Sequence, residues 1–207
     1  DESKIVVPIT PSKIIGIGTN YIEKGSCHNK TVPSIFSVPK TAAGCTNSDI
    51  NITGYFESVL IEGELGVVIK KQAKNVLQEK VFDFVAGYTI CNDISARDSS
   101  LPHVSNLIKK GSDGFFPIGP CLLKKQEPIN FDIKTYINGN LVQSSNTKDM
   151  IYSITECISF ITKFVTLQQG DVVSMGTPLP KPKAYPGDNI KVVIDEIGLL
   201  ENNIISR

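Results

Sequence analysis

The chain has only two histidines, His28 and His103. That scarcity excludes a polyhistidine metal site and leaves carboxylate oxygens as the means of holding a metal ion. The five cysteines, Cys27, Cys45, Cys91, Cys121 and Cys157, are odd in number, scattered, and form no C-x-x-C pair. Free thiols in a reducing compartment fit that pattern better than a disulfide framework, and it argues against a structural zinc site. Formal net charge is zero, so there is no basic field to hold nucleic acid or an anionic membrane. No apolar run approaches the roughly 20 residues needed to span a bilayer. The opening stretch DESKIVVPIT is neither a signal peptide nor an Arg-rich transit sequence. The expectation is a cytoplasmic protein, or one of the mitochondrial matrix if a leader has been removed.

What is present is ordinary in bulk. The 207 residues are 41% hydrophobic and 20% charged, enough for one sizeable domain with a real core. No repeat, low-complexity tract or linker divides the chain, so 1–207 is read as a single domain. SKIIGIGTN reads as a strand ending in a Gly16–Gly18 turn; the lone G-x-G lacks the third glycine and following helix of a dinucleotide site. FDIKTYINGNLVQSS alternates and carries Asn138-Gly139, a hairpin signal. SITECISFITKFVTL has helical spacing behind a Ser/Glu cap pattern. The fold class is α+β, mainly β: a curled or barrel-like sheet with few short helices.

The stretch SVLIEGELGVVIKK reads as one long strand, yet it carries Glu62 and Glu64. Two positions apart on a strand, both side chains point the same way, and Gly63 leaves the other face bare. Desolvating two like charges costs several kcal/mol unless something compensates. One reading is an exposed face with alternate polar residues; the other is a cation held between the carboxylates. The run LGVVI is continuous rather than alternating, as in a strand buried on both sides. A third carboxylate, Asp93, follows in YTICNDISARDSS, where a lone aspartate commonly caps or turns the chain. Three converging carboxylates suit Mg²⁺ or Mn²⁺ with open positions; Ca²⁺ prefers more protein ligands.

The segments GTNY, EGELGVVI, AGYTICNDISARD, KGSDGFFPIGP, INGNLVQ, GDVVSMGTP and PGDNIKVVIDEIGLLENNI occur in one order from about residue 13 to 205. Together they resemble the fumarylacetoacetate hydrolase family, most closely its small acylpyruvase and oxaloacetate decarboxylase members. The resemblance implies a mixed, rolled β-fold, a homodimer, and Mg²⁺ or Mn²⁺ on Glu62, Glu64 and Asp93. It implies that Lys110 stabilises charge on an enolate or carboxylate oxygen. Arg97 and Asp98 are expected to pair and brace the metal loop. Gly176 and Thr177 match a substrate-carboxylate contact through a backbone N–H and a hydroxyl. Tyr21 and Gln143 are expected to face the pocket.

The chain also departs from that family. Lys24 stands where the family has a histidine that, with a glutamate, orients and deprotonates water. Cys27 falls where the partner glutamate is expected. A lysine near its usual pKa of about 10.4 is protonated at neutral pH and is a poor base. His28, four residues on, is the candidate substitute. Val38 replaces a frequent lysine, and 98–110 is shorter than expected. These changes surround the pocket rather than the metal. The expected function is therefore a metal-dependent hydrolase of small acylpyruvate or β-diketo acids, or a decarboxylase of oxaloacetate-like 2-oxo acids. The alternatives are a 2-oxo acid isomerase or tautomerase and a catalytically idle metal-binding module.

Overall fold

The continuous aliphatic run after Glu64 becomes the strand Gly63–Ile69, in which every residue is buried. This strand lies in the middle of a seven-stranded sheet in the computed structural model, which describes residues 10–22, 31–98, 104–125 and 130–207. The sheet order is Ser34–Val38, Ile14–Gly18, Val172–Ser174, Gly63–Ile69, Val85–Asn92, Phe116–Leu123 and Ala43–Gly44. Most pairings are antiparallel, but Ile14–Gly18 runs parallel to Val172–Ser174. A five-stranded sheet contains Asn140–Asn146, Asp132–Ile137, Asn189–Ile194, Gly198–Ile205 and Asp49–Asn51. A small third sheet joins Lys183–Ala184, Ser58–Leu60 and Ser95–Arg97. The strand-dominated, curled α+β architecture is the one expected.

The main core lies between the two larger sheets. Leu65, Val67, Tyr88 and Ile90 from one meet Ile133, Val192 and Ile194 from the other. The helix Ile154–Phe164 adds Ile154, Ile158 and Ile161 to this cluster. Its start is held by the anticipated capping box: Ser153 Oγ accepts from the Glu156 N–H, and Glu156 Oε2 accepts from the Ser153 N–H. The Asn138-Gly139 hairpin also forms, with both residues at positive φ (51° and 80°), as a two-residue primed turn requires. Among the described residues, no helix is long and apolar enough to cross a membrane.

Two local expectations are corrected. The stretch from Ser58 to Ile69 is two strands, not one: Ser58–Leu60 joins the small sheet and Gly63–Ile69 the large one. Ile61 and Glu62 form the link where the chain changes sheets. Gly63 is bare because the second sheet approaches there; a Cβ on it would lie 2.8 Å from Val192 Cγ1 and 2.9 Å from Thr135 Oγ1. Gly16 is no turn but sits inside a strand under the Phe36 ring, which a Cβ would strike. Lys110 ends a short helix, Asn106–Lys110.

Candidate metal centre and active site

The change of sheets at Ile61–Glu62 is what assembles the site. Antiparallel pairing sets Gly63 opposite Asn92 and Glu64 opposite Cys91. Continuing that register brings Asp93, just past its strand, beside Glu62. Two bonds fasten the junction: the Asp93 N–H donates to the Glu62 carbonyl at 2.9 Å, and the Glu62 N–H donates to Asn92 Oδ1 at 3.1 Å. Carboxylate oxygens of Glu62, Glu64 and Asp93 all lie within 4.8 Å of one another. The three residues are 3%, 2% and 0% exposed, so the exposed-face reading of the glutamate pair fails.

Each carboxylate is oriented by its own partners. Glu64 Oε2 accepts from Ser174 Oγ at 2.6 Å and from the Gly176 N–H at 2.8 Å. Glu62 Oε1 accepts from Ser95 Oγ at 2.8 Å. Lys110 Nζ donates to Asp93 Oδ2 at 2.6 Å and to Glu62 Oε2 at 3.2 Å. Lys181 Nζ reaches that same Glu62 oxygen at 3.0 Å. Asp93 Oδ1 is buried with no hydrogen-bond partner.

Three carboxylates face two ammonium groups, and the imbalance sets their protonation. Burial, reinforced by Asp93 and Glu62, pushes Glu64 up to about 8. Burial also raises Asp93, to about 6, although Lys110 pulls against it. Burial acts upward on Glu62 as well, but Lys110 and Lys181 outweigh it and hold that carboxyl below its ordinary value. Lys110 loses some basicity to burial and more than regains it from Asp93 and Glu62, so it stays charged. The donor set fits a hard divalent cation: all oxygen, clustered, excess in negative charge, with one buried oxygen lacking any partner.

The remaining expected residues separate into groups. Arg97 and Asp98 line a cavity of about 280 Å³ together with Ser95 and Lys110; the Arg97 guanidinium donates to the Ala96 carbonyl at 3.1 Å. Tyr21 is buried, and its hydroxyl has no partner. Burial and the nearby charges of Glu64 and Asp149 keep that phenol protonated. The Gly176 N–H, expected to meet a substrate carboxylate, is instead taken by Glu64, because its peptide lies two residues past Ser174 on the neighbouring strand. Thr177 is buried beside it and accepts from Gln143 Nε2 at 3.3 Å. Gln143 spends its amide on the chain itself: Nε2 donates to the carbonyls of Pro178 (2.6 Å) and Pro180 (2.8 Å), and Oε1 accepts from Thr135. It clamps the loop bordering the site rather than offering a free group to it. Lys24, Cys27 and the candidate base His28 lie outside the described residues. Ser95, Ser174 and Lys181 were not anticipated; the serines carry no local signal, and Lys181 sits in a proline-rich loop that reads as solvated.

Known proteins share this arrangement of chain. The family model described as "Fumarylacetoacetate (FAA) hydrolase C-terminal" matches residues 13–205. The oxaloacetate tautomerase YisK of Bacillus subtilis is 38% identical over 225 residues, covering 98% of this chain and 73% of that protein. The crystal structure of 5-carboxymethyl-2-hydroxymuconate delta-isomerase from Mycobacterium smegmatis superposes with a TM-score of 0.90 at 32% identity, over 97% of this chain and 79% of the other. Maleylpyruvate hydrolase from Sphingobium sp. SYK-6, solved with manganese(II) and pyruvate, gives 0.82 at 28% identity, over 98% and 73%. With its carboxylate cluster intact and the family pattern running through nearly all of its length, the chain belongs to the fumarylacetoacetate hydrolase family.

Proposed function

We propose that the protein is a Mg²⁺- or Mn²⁺-dependent enzyme acting on small 2-oxo acids through their enolates, with keto–enol tautomerisation of an oxaloacetate-like acid as its best-supported reaction. The observation that carries this reading is Lys110, seated 2.6 Å from Asp93 and 3.2 Å from Glu62 in a cluster of three buried carboxylates. A metal ion held by Glu62, Glu64 and Asp93 would act as a Lewis acid on the 2-oxo group.

The protein's own residues supply the rest. Lys110 is fixed and charged, so it stabilises negative charge developing on an enolate oxygen and does not serve as a neutral base. Tyr21 remains protonated, with its buried hydroxyl unpartnered. Ser174 and Ser95 keep the carboxylates in place. Tautomerisation asks for one modest proton shuttle. C–C hydrolysis asks in addition for an activated water, and the lysine at position 24 is a poor base for making one. The tautomerase name of the Bacillus subtilis relative supports this order.

Cleavage of acylpyruvates is the second reading, favoured by the likeness to a hydrolase solved with manganese and pyruvate. Decarboxylation uses the same enolate stabilisation without the water. We further propose that the protein works as a homodimer, which sedimentation analysis would test.

The deciding experiment follows enol decay and CO₂ release from oxaloacetate, and cleavage of acetylpyruvate, in parallel with Mg²⁺, Mn²⁺ and EDTA. EDTA-sensitive enol decay without CO₂ or acetylpyruvate loss is expected. EDTA-sensitive acetylpyruvate cleavage would make the protein a hydrolase with an activated water. Tight metal binding with no turnover of either acid would leave an idle metal-binding module.

A further inference from the structure

Lys181 has no role in the chemistry above, yet it touches the centre. Its Nζ shares Glu62 Oε2 with Lys110. The two lysines differ in what else they hold. Lys110 also grips Asp93, and its side chain is 15% exposed. Lys181 has Glu62 as its one ionic partner among the described residues and is 33% exposed. It lines a cavity of about 1010 Å³ together with Tyr21, Ser144 and Ser145. Tyr21 lines that same cavity, with its hydroxyl buried and unpartnered.

The backbone carrying Lys181 is held firmly. Gln143 donates to the carbonyls of Pro178 and Pro180, directly before it, and Gln143 is itself anchored by Thr135. The anchored backbone leaves a long, flexible ammonium side chain pivoting from a fixed point. A divalent cation on Glu62 would repel both lysines that now occupy its oxygen. Lys110 retains the second oxygen of Asp93, whereas Lys181 is left facing the cavity.

We propose that Lys181 is a specificity-determining residue that receives a second carboxylate on the substrate, so that the site selects dicarboxylic 2-oxo acids over monocarboxylic ones. This rests on the 2-oxo acid reading above. An ammonium standing beside the metal ligand Glu62 and bordering the cavity makes a charge-assisted bond to the second carboxylate of an acid chelated there. The cavity accommodates the longer molecule.

The test is calorimetric binding of pyruvate and 2-oxoglutarate, and of lactate and malate, to the Mn²⁺-loaded protein, with Mn²⁺ affinity measured separately. The wild type is expected to prefer the dicarboxylic member of each pair. In Lys181→Met that preference should fall about tenfold, the scale of one charge-assisted hydrogen bond, and Lys181→Arg should restore most of it. A wild type that binds pyruvate and lactate with no dicarboxylate preference overturns the inference while the 2-oxo acid reading stands. An unmoved preference in Lys181→Met, with only Mn²⁺ affinity altered, also overturns it and makes Lys181 a counter-charge for Glu62. A Mn²⁺-loaded wild type that binds none of the four acids overturns both.

Discussion

Lys110 and Lys181 place their ammonium groups on one oxygen of Glu62, at 3.2 and 3.0 Å. Glu62 thus has two ammonium partners, Asp93 shares one of them, and Glu64 has none among the described residues. Glu62 is held ionised, while Glu64, bonded to a serine and a peptide N–H, carries the burden of burial.

This asymmetry predicts how stability depends on pH. Glu64 titrates at about 8 in the folded protein, and Asp93 at about 6, both above their ordinary values. Between those ordinary values and the raised ones, the folded state binds more protons than the unfolded state. Stability of the metal-free protein therefore falls as pH rises across that window. Glu62 shifts downward and acts in the opposite sense, but only at pH values near and below the ordinary carboxylate range. Thermal melts in EDTA should show Tm declining from about pH 5.5 to about 8.5. A Tm that rises over this interval would contradict the assignment.

Metal binding should release a proton at neutral pH, because Glu64 must ionise to ligate. Titration calorimetry with Mn²⁺ in two buffers of different ionisation enthalpy should report about one proton released at pH 7. Apparent affinity should tighten toward pH 8 and then level off. Identical heats in the two buffers would count against a protonated Glu64.

Asp93→Ala removes the carboxylate with the unpartnered oxygen and strips Lys110 of its shorter bond. Mn²⁺ retention after gel filtration should drop to background, and turnover of any 2-oxo acid should fall to the EDTA-treated level. A variant that stays fully active and indifferent to chelator would remove the basis for a metal centre.

Ser174→Ala tests orientation rather than ligation. It deletes a 2.6 Å bond to Glu64 Oε2 and leaves all three carboxylates in place. Mn²⁺ affinity should weaken roughly 10–100-fold, as for other groups that support a metal ligand from behind. Unaltered affinity would mean that the Gly176 N–H suffices.

Gly63→Ala tests the meeting of the sheets. The added methyl would press against Val192 and Thr135 at 2.8 and 2.9 Å. Overpacking of this kind costs about 1–3 kcal/mol, visible as a lowered denaturation midpoint in the metal-free protein. An unshifted midpoint would show that the five-stranded sheet can retreat at no cost.

Much of this was legible in the sequence, and the residues show why. Glu62, Glu64 and Asp93 stand out because carboxylates interrupt apolar runs. The Asn138-Gly139 turn and the Ser153 cap are local devices with local signatures, and both formed as read. The break at Ile61–Glu62 was hidden, because side-chain alternation continues smoothly through a residue that leaves one sheet for another. Ser174 meets Glu64 from 110 positions away, and Lys181 meets Glu62 from 119; no spacing rule reaches that far. The helix Asn106–Lys110 is five residues long, too short to display a period. Gln143 was identified as a site residue, but its service to the Pro178–Pro180 backbone depends on a fold-specific meeting of loop and strand.

The parallel pairing of Ile14–Gly18 with Val172–Ser174 has a kinetic consequence. A strand inserted between two partners, one of them 158 positions earlier in the chain, is costly to bring home and tends to arrive slowly. Ser174 travels with it. Until that strand docks, Glu64 lacks its serine and its peptide donor and is not oriented toward the other two carboxylates. Metal capture would then report the closing event of folding, and a stopped-flow signal from a bound ion should trail the signals of the local hairpin and the capped helix.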